Sequence, residues 1–544
     1  MEWAGPVAVL LGSYAALAVA AVQGRRQLHV LQLEEYELGR FWRWLIADWR
    51  RLFTWDQVLA AGFLAWFGRE ITQSNSLAYL LLIFGAIPFV TQTWRARGAS
   101  GPKKPLIYTP KILLLIGLSL ALAAATLVVG VVYWLAPPNG QSEIVLFPVA
   151  LAAVTLLPAI YLSIATLILW PFQAAAKWAI VQYAALRLRQ RGDLIVVGVT
   201  GSYGKTSTKE IMATLLGARY RVCKTAGSVN TPVGIARTVL RGLRPEHQVF
   251  VVEMGAYVPG NIRDLARLAS PRIGVLTAIG EQHLERFGSV ENIAKTKYEL
   301  IEALPADGLA VFNADNPGAR ALAARTRHVP VRTYGLDAAD PPPAVTAVDI
   351  HTSTQGTEFT VRADGYGEAR FTSPLLGRHN VSNVLAATAV ALELGLLLQE
   401  IAAAARTLEP VAHRLQLIHG QGGVTVIDDA YNSNPAGARA ALAVLSEFPG
   451  RKVLVTPGMV ELGEQLEARH AEFGRQTAAV CDYVILVGRR RTAAIAEGAR
   501  AAGLPADRLF VVPSLKEATA QLGRLVSAGD VVLFENDLPD QYSE

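Results

Sequence analysis

The chain has 544 residues, room for two or three domains of ordinary size, and with 52% hydrophobic and 18% charged residues it is too apolar for a purely soluble protein. Of the formal net charge of +6, residues 1–192 hold +8 (16 Lys plus Arg against 8 Asp plus Glu), which leaves −2 for the rest. The basic excess therefore belongs to the apolar front and points to anionic lipid rather than nucleic acid, and two distant cysteines, Cys223 and Cys481, give neither a disulfide framework nor metal-ligand spacing.

In chain order, Trp3 to Gln23, Ser76 to Thr91, Ile112 to Ala136 and Ile144 to Trp170 are nearly uncharged. Each is close to or beyond the ~20 residues a helix needs to cross a bilayer. Leu52 to Gly68 is shorter and carries Asp56, so it reads either as a fifth span or as a re-entrant or interfacial helix. Arg25, Arg26, Arg40, Arg43, Arg50 and Arg51 follow the first segment, and Arg95, Arg97, Lys103, Lys104 and Lys111 precede Ile112 to Ala136. The positive-inside bias places these loops in the cytoplasm. Five spans then put the amino terminus outside, with Lys177, Arg187, Arg189 and Arg191 emerging inside. The first segment lacks the basic start and small-residue cleavage site of a secretory signal. Arg40 to Phe53, with Phe41, Trp42, Trp44 and Trp49 among arginines, reads as a helix lying on the inner leaflet. The expected organisation is a membrane domain of about five helices over 1–172, multi-pass in the cytoplasmic membrane, and an amphipathic linker helix over 173–192.

From residue 193 onward, Val- and Ile-rich runs alternate with Ala- and Leu-rich helical stretches. The runs are Leu194 to Val199, Val249 to Val252, Ile273 to Leu276, Ala310 to Phe312, Val424 to Ile427, Val453 to Thr456, Tyr483 to Val487 and Val531 to Phe534. That alternation predicts parallel, doubly wound sheets, interrupted by an antiparallel patch over Val345 to Phe371. A break near Leu408 to His413 divides the region into a central ATP-binding domain, 193–412, and a Rossmann-like α/β domain, 413–544. The fold class is an α-helical membrane domain followed by α/β.

The stretch Gly201-Ser202-Tyr203-Gly204-Lys205-Thr206-Ser207-Thr208 lies between a predicted strand and an amphipathic run. Glycines there let backbone N–H groups close around phosphate oxygens, Lys205 can reach the outer phosphates, and the Thr206 hydroxyl can hold Mg2+. A strict G-x-x-x-x-G-K-[ST] loop has glycine where this chain has Val199, so the loop is not that of the common GTPases and kinases.

Further motifs follow in order: Thr225 to Pro232; Val252-Glu253-Met254-Gly255; Ile279 to Gly288 around His283; Ala294 to Glu299 around Lys297; Asn313 to Asn316; Gly377 to Asn383; His413-Arg414-Leu415; and Asp428 to Pro435. Together with the loop, this series over roughly residues 195–530 resembles the Mur ligase family, ATP-dependent amide-forming enzymes of peptidoglycan synthesis. The resemblance implies a P-loop Mur-type central ATPase domain. Gly201, Ser202, Gly204, Lys205, Thr206, Ser207, Asn313, Asn383, Arg414 and Asp429 would then bind ATP. Thr206, Glu253, His283 and Lys297 would hold two Mg2+ ions, Lys297 as a carbamate whose negative charge supports a second metal. Lys205, Lys297, His283 and Arg414 would serve the reaction, in which the γ-phosphate moves to a carboxylate and an amine attacks the acyl phosphate.

The substrates so implied are a muropeptide or other cell-envelope carboxylate, UDP- or lipid-linked at the cytoplasmic membrane face, and an amine acceptor, with the catalytic domains in the cytoplasm. Membrane lipids are expected partners, as is a protein that supplies the amine; nucleic acid is not. Membrane helices stand where the family carries a UDP-sugar-binding domain. Two other readings remain open at this point, a poly-γ-glutamate-type polymer ligase and an ATP-driven transporter, the latter opposed by the scarcity of ionisable residues in the spans. The acidic end, Glu535 to Asp540, either faces the acceptor site, favouring a cationic or amide-bearing amine, or is a solvated terminus.

Overall fold

A computed structural model describes residues 4–34, 36–47, 49–72, 105–135, 146–282, 284–337, 340–431, 433–460 and 462–537. The chain divides into two compact units, Met1–Ala176 and Lys177–Glu544.

The first unit is helical: Ala4–Leu33, Leu38–Ile46, Trp49–Leu52, Trp55–Thr72, Pro110–Leu135, Leu146–Leu156 and the start of Pro158–Arg189. By length and composition, Pro110–Leu135 and Pro158–Arg189 suffice to cross a membrane. The expected single run Ile144 to Trp170 is broken at Leu157, because Pro158 donates no N–H and disfavours helix for the residue before it. The expected linker over 173–192 continues the helix Pro158–Arg189 without interruption. Leu52 to Gly68 forms the helix Trp55–Thr72, tied inward by Gln57, whose Nε2 donates to Thr155 O at 3.0 Å. Arg40 to Phe53 is helical at both ends, but Phe41 and Leu45 pack against Leu31 and Ala159, and Trp42 Nε1 donates to Ser163 Oγ at 3.1 Å. Trp42 and Trp44 on the same helix stay only partly buried. Ser76 to Thr91, Arg95, Arg97, Lys103 and Lys104 lie outside the described residues.

The second unit holds two sheets. The first contains β1 (Ile195–Thr200), β2 (Val222–Lys224), β3 (Val249–Glu253), β4 (Ile273–Leu276), β5 (Leu309–Asn313), β6 (Val331–Gly335), β7 (Val345–Ser353), β8 (Gly356–Ala363) and β9 (Gly367–Ser373). Their order is β2-β3-β1-β4-β5-β6-β7-β8-β9, parallel as far as β7, with β8 and β9 completing the expected antiparallel patch. Parallel strands must be covered on both faces, which is why they read as unbroken apolar runs. Val197, Val199, Val251, Val275 and Val311 meet the helices Lys205–Leu216 and Arg378–Glu393 on one face. Phe250, Val252, Leu276 and Phe312 meet Pro232–Arg241, Asn261–Ala269 and Val290–Glu302 on the other. Ala184, Ala185 and Leu188, from the end of Pro158–Arg189, join that second face. Burying one such Leu, Ile or Phe side chain contributes about 1.5–3 kcal/mol.

The second sheet contains β10 (Gln416–His419), β11 (Thr425–Asp429), β12 (Lys452–Thr456), β13 (Tyr483–Val487), β14 (Leu509–Val512) and β15 (Val531–Glu535), in the order β10-β11-β15-β12-β13-β14. Every pair is parallel except the edge pair β10 and β11. The phosphate loop, Glu253, the segment after β4, Asn313 and Asp429 lie at carboxyl ends of strands, where open α/β folds bind ligands, while Lys297 lies within the helix Val290–Glu302.

Candidate active site

The loop after β1 is held in a form that only glycine tolerates at two positions. Gly201 has φ +153 and Gly204, which caps the helix Lys205–Leu216, has φ +79. A Cβ at Gly201 would lie 2.0 Å from Thr277 Oγ1. Val199, where the stricter loop has glycine, is instead a fully buried residue of β1. The loop is tied to the segment after β4: Ser202 N donates to Ala278 O at 2.7 Å, Gly280 N donates to Ser202 Oγ at 3.0 Å, Ser202 Oγ donates to Gly280 O at 3.0 Å, and Thr277 Oγ1 donates to Tyr203 O. Lys205 Nζ folds back onto Gly201 O at 2.7 Å and reaches Gln282 Oε1 at 3.4 Å. Burial lowers its pKa to about 8, opposed by Glu253 and reinforced by Arg414.

Glu253 ends β3 with 1% exposure. Its Oε1 accepts from Asn230 Nδ2 at 3.1 Å, while Oε2 is buried without a hydrogen-bond partner, 3.7 Å from Lys209 Nζ. An orphaned carboxylate oxygen that lines one cavity with the Thr206 hydroxyl is the hard-oxygen donor set that suits Mg2+. Lys209, a buried cation that the motif reading missed, also pairs with Glu210 at 3.0 Å and donates to Gly227 O. Its place one helical turn after Lys205 was the available signal.

Lys297 sits on Val290–Glu302 with 3% exposure, and burial first, then Lys205, push its pKa well below the usual lysine range. Glu299, at the end of that motif, caps the helix Asn261–Ala269 by accepting from Gly260 N at 2.8 Å and Arg263 N at 2.9 Å. His283 lies outside the described residues; Gln282 beside it lines the cavity.

Asn313 ends β5, accepts from Asp315 N at 2.9 Å and lines the cavity. Asn383 stands against the phosphate loop itself, its Oδ1 accepting from Thr208 Oγ1 at 3.1 Å. His379, also in the cavity wall, is held by burial at a pKa of about 4 and so is neutral.

From the second sheet, Arg414 and Asp429 enter the same cavity of 470 Å³ as Gly204, Lys205, Thr206 and Ser207. The Arg414 guanidinium lies 4.3 Å over the Tyr431 ring, and Tyr431 Oη donates to Ser228 Oγ across the cleft at 2.6 Å. Asp429 Oδ1 accepts from Leu415 N at 3.1 Å, and burial, then Glu535, raise its pKa to about 7. Glu535 itself is a correction to the expected acidic tail: it is 1% exposed, accepts from Ser433 Oγ and from Thr456 Oγ1 at 2.8 Å, and burial raises its pKa to about 7. The segment after Asp537, with Asp540, the motif residue Asn432, and Glu461 lie outside the described residues.

A phosphate loop that shares its cavity with an arginine and a carboxylate from a second α/β domain is a nucleotide site at a domain cleft. Residues 199–391 match the Mur ligase middle domain and residues 413–535 match the Mur ligase, glutamate ligase domain. The UDP-N-acetylmuramoyl-tripeptide--D-alanyl-D-alanine ligase of Bacillus subtilis strain 168 is 36% identical over 361 residues, covering 66% of this chain and 76% of the relative. Its counterpart in Escherichia coli K12 is 36% identical over 335 residues, 61% and 73% of the two chains. Among solved structures, MurF from Acinetobacter baumannii superimposes with TM-score 0.61 at 28% identity (67% of this chain, 78% of that one), and MurF from Thermotoga maritima in complex with ADP with TM-score 0.59 at 27% identity (66% and 80%). The chain belongs to the Mur ligase family, whose members are ADP-forming, ATP-dependent peptide ligases. The stretches around His283, Tyr431 to Asn434 and Val460 to Glu464 resemble the D-alanyl-D-alanine-adding member in particular, and the relatives agree. The transporter and poly-γ-glutamate readings find no support among them.

Proposed function

We propose that this chain is a MurF-type ligase that joins the terminal carboxylate of a muropeptide tripeptide to D-alanyl-D-alanine with conversion of ATP to ADP and phosphate. The observation that carries the reading is the shared cavity, in which Lys205 and Thr206 face Arg414 and Asp429 from the other sheet. Backbone N–H groups from Tyr203 to Thr206 and the Lys205 ammonium hold the phosphates, and Lys205 shifts from Gly201 O to the ligand. A phosphate beside it restores the protonation that burial disfavours. Thr206, Glu253, His283 and a Lys297 carbamate are the residues that would hold Mg2+, which supplies charge compensation on the phosphates. Burial and Lys205 disfavour the charged form of the Lys297 amine, and the uncharged amine is the form that would add CO2. Arg414 and Tyr431 close over the site and exclude water from the activated carboxylate.

Support for the membrane reading comes from the helices Pro110–Leu135 and Pro158–Arg189 and from the +8 charge of residues 1–192. We place the catalytic domains in the cytoplasm and the helical unit in the cytoplasmic membrane, in contact with its lipids. These helices favour a second form of the substrate, a muropeptide carried on a lipid instead of UDP. ADP release by the detergent-purified full chain, with Mg2+, bicarbonate and D-alanyl-D-alanine, tests this against UDP-MurNAc-tripeptide and its undecaprenyl-linked counterpart. Turnover on the first fixes the UDP form, turnover on the second alone fixes the lipid form, and silence on both refutes the reading.

A further inference from the structure

The loop between β4 and the short helix Leu284–Phe287 belongs mechanically to the phosphate loop. Three of the hydrogen bonds above join Ser202 to Ala278 and Gly280, Lys205 reaches Gln282, and the Tyr203 ring lies so close under Gly280 that a Cβ there would stand 2.5 Å from it. Asn316 secures the loop's other side, accepting from Ile279 N and donating to Ile279 O, both at 3.0 Å. Glu281 extends from this loop to the second domain. There Arg469 meets it with two hydrogen bonds, Nε to Oε2 at 2.9 Å and Nη2 to Oε1 at 2.5 Å, with side chains 36% and 21% exposed. A planar guanidinium bound at both oxygens fixes direction as well as distance, which an ammonium does not.

Arg469 is itself held on a rigid base. It lies in the first turn of the helix Leu466–Val480, and the adjacent His470, 1% exposed, accepts from Met459 N at 2.9 Å and donates from Nδ1 to Arg491 O at 3.1 Å. The second domain therefore grips the segment that carries Lys205's neighbour Gln282 and the adjoining His283. We propose that Glu281 and Arg469 are positioning residues that couple the docking of the second domain to the placement of the Lys205 loop. The pair acts on the reaction through that loop and touches no reactant. The inference rests on the ligase reading for its kinetic readout, and the wild-type chain, run with both forms of the muropeptide, shows whether that reading itself fails.

The test uses the full chain with Glu281→Gln, Arg469→Gln and the reversed pair Glu281→Arg/Arg469→Glu. Each single substitution is expected to lower kcat about tenfold, the effect of one lost charged pair, while the Kd for a non-hydrolysable ATP analogue moves less than about threefold. The reversed pair should recover at least a third of the loss. A kcat within twofold of wild type in both single variants overturns the proposal. So does an analogue Kd that rises by the same factor as kcat falls, since the pair would then merely hold the empty loop in shape. A reversed pair no better than the worse single variant also counts against it. If Arg469→Gln is unstable, Arg469→Lys keeps the charge and loses the fork, with an expected fall of about threefold in kcat, and no fall refutes the coupling. Hydrogen exchange across residues 278–282 is independent of turnover: release of Arg469 should speed it about tenfold, and unchanged exchange contradicts the coupling.

Discussion

Replacing Gly201 by alanine should disable ATP binding while leaving the fold standing. The backbone at this position has φ +153, and the added Cβ would meet Thr277 Oγ1 at 2.0 Å. The conformational penalty for an L-residue is roughly 1–2 kcal/mol. Thr277 must also turn away, giving up the hydrogen bond its single hydroxyl proton makes to Tyr203 O, with Thr200 O the alternative acceptor at 3.3 Å, which contributes about 1 kcal/mol. Together these make about 2–3 kcal/mol, on the order of a hundredfold in affinity if the loop can regain its binding form only against that strain. Gly204→Ala is the graded comparison. Its φ is +79, but its Cβ would meet only the Asn383 amide oxygen, at 2.8 Å, the end of a side chain that can rotate. About 2 kcal/mol, or roughly thirtyfold, is expected there. Calorimetric titration of ATP with Mg2+, with thermal unfolding as the control, measures both. A Gly201→Ala chain that binds ATP within threefold of wild type would refute the assignment of this loop as the phosphate cradle.

Asp429 and Glu535, neighbours at the ends of β11 and β15, both have pKa values raised to about 7. A carboxyl group with a raised folded pKa contributes stability that is full below its unfolded value and is lost as pH rises through the folded one. The C-terminal domain should therefore weaken between about pH 4 and 7, and Glu535→Gln should flatten that slope and raise stability at pH 8 by up to about 3 kcal/mol; an unchanged slope in thermal unfolding against pH would contradict this. Tyr431→Phe loses the 2.6 Å bond to Ser228 and should lower kcat/KM about fivefold, with Ser228→Ala no worse and the double variant not additive. Supplying 13C-bicarbonate should produce a carbamate carbon signal that Lys297→Ala abolishes together with activity, and a signal that persists in Lys297→Ala would place the carbamate elsewhere.

What the sequence carried well was what local chemistry dictates. The Gly-rich loop, the buried runs of β1, β4 and β13, and the antiparallel patch all came from short-range pattern, and the structure reproduces them. β2 and β14, of three and four residues, are too short to show a period, and β6 (Val-Arg-Thr-Tyr-Gly) and the edge strand β10 (Gln-Leu-Ile-His) mix polar with apolar side chains. The inward packing of Phe41 and Leu45 on Leu38–Ile46 was not legible locally, because nothing in that helix's own residues names the partners Leu31 and Ala159. Glu535 looked like the start of a solvated tail because its partners, Ser433 and Thr456, lie 102 and 79 residues away. Arg469 and Glu281 were invisible for the same reason, being 188 residues apart in different domains.

The most direct test of the account follows the oxygen atoms of the substrate carboxylate. With the muropeptide carboxylate labelled with 18O and D-alanyl-D-alanine as acceptor, activation by phosphoryl transfer predicts one labelled oxygen in the inorganic phosphate released, with ADP and amide formed in equal amounts. Unlabelled phosphate, or ADP formed without amide, would contradict a ligase that works through an acyl phosphate in this cavity.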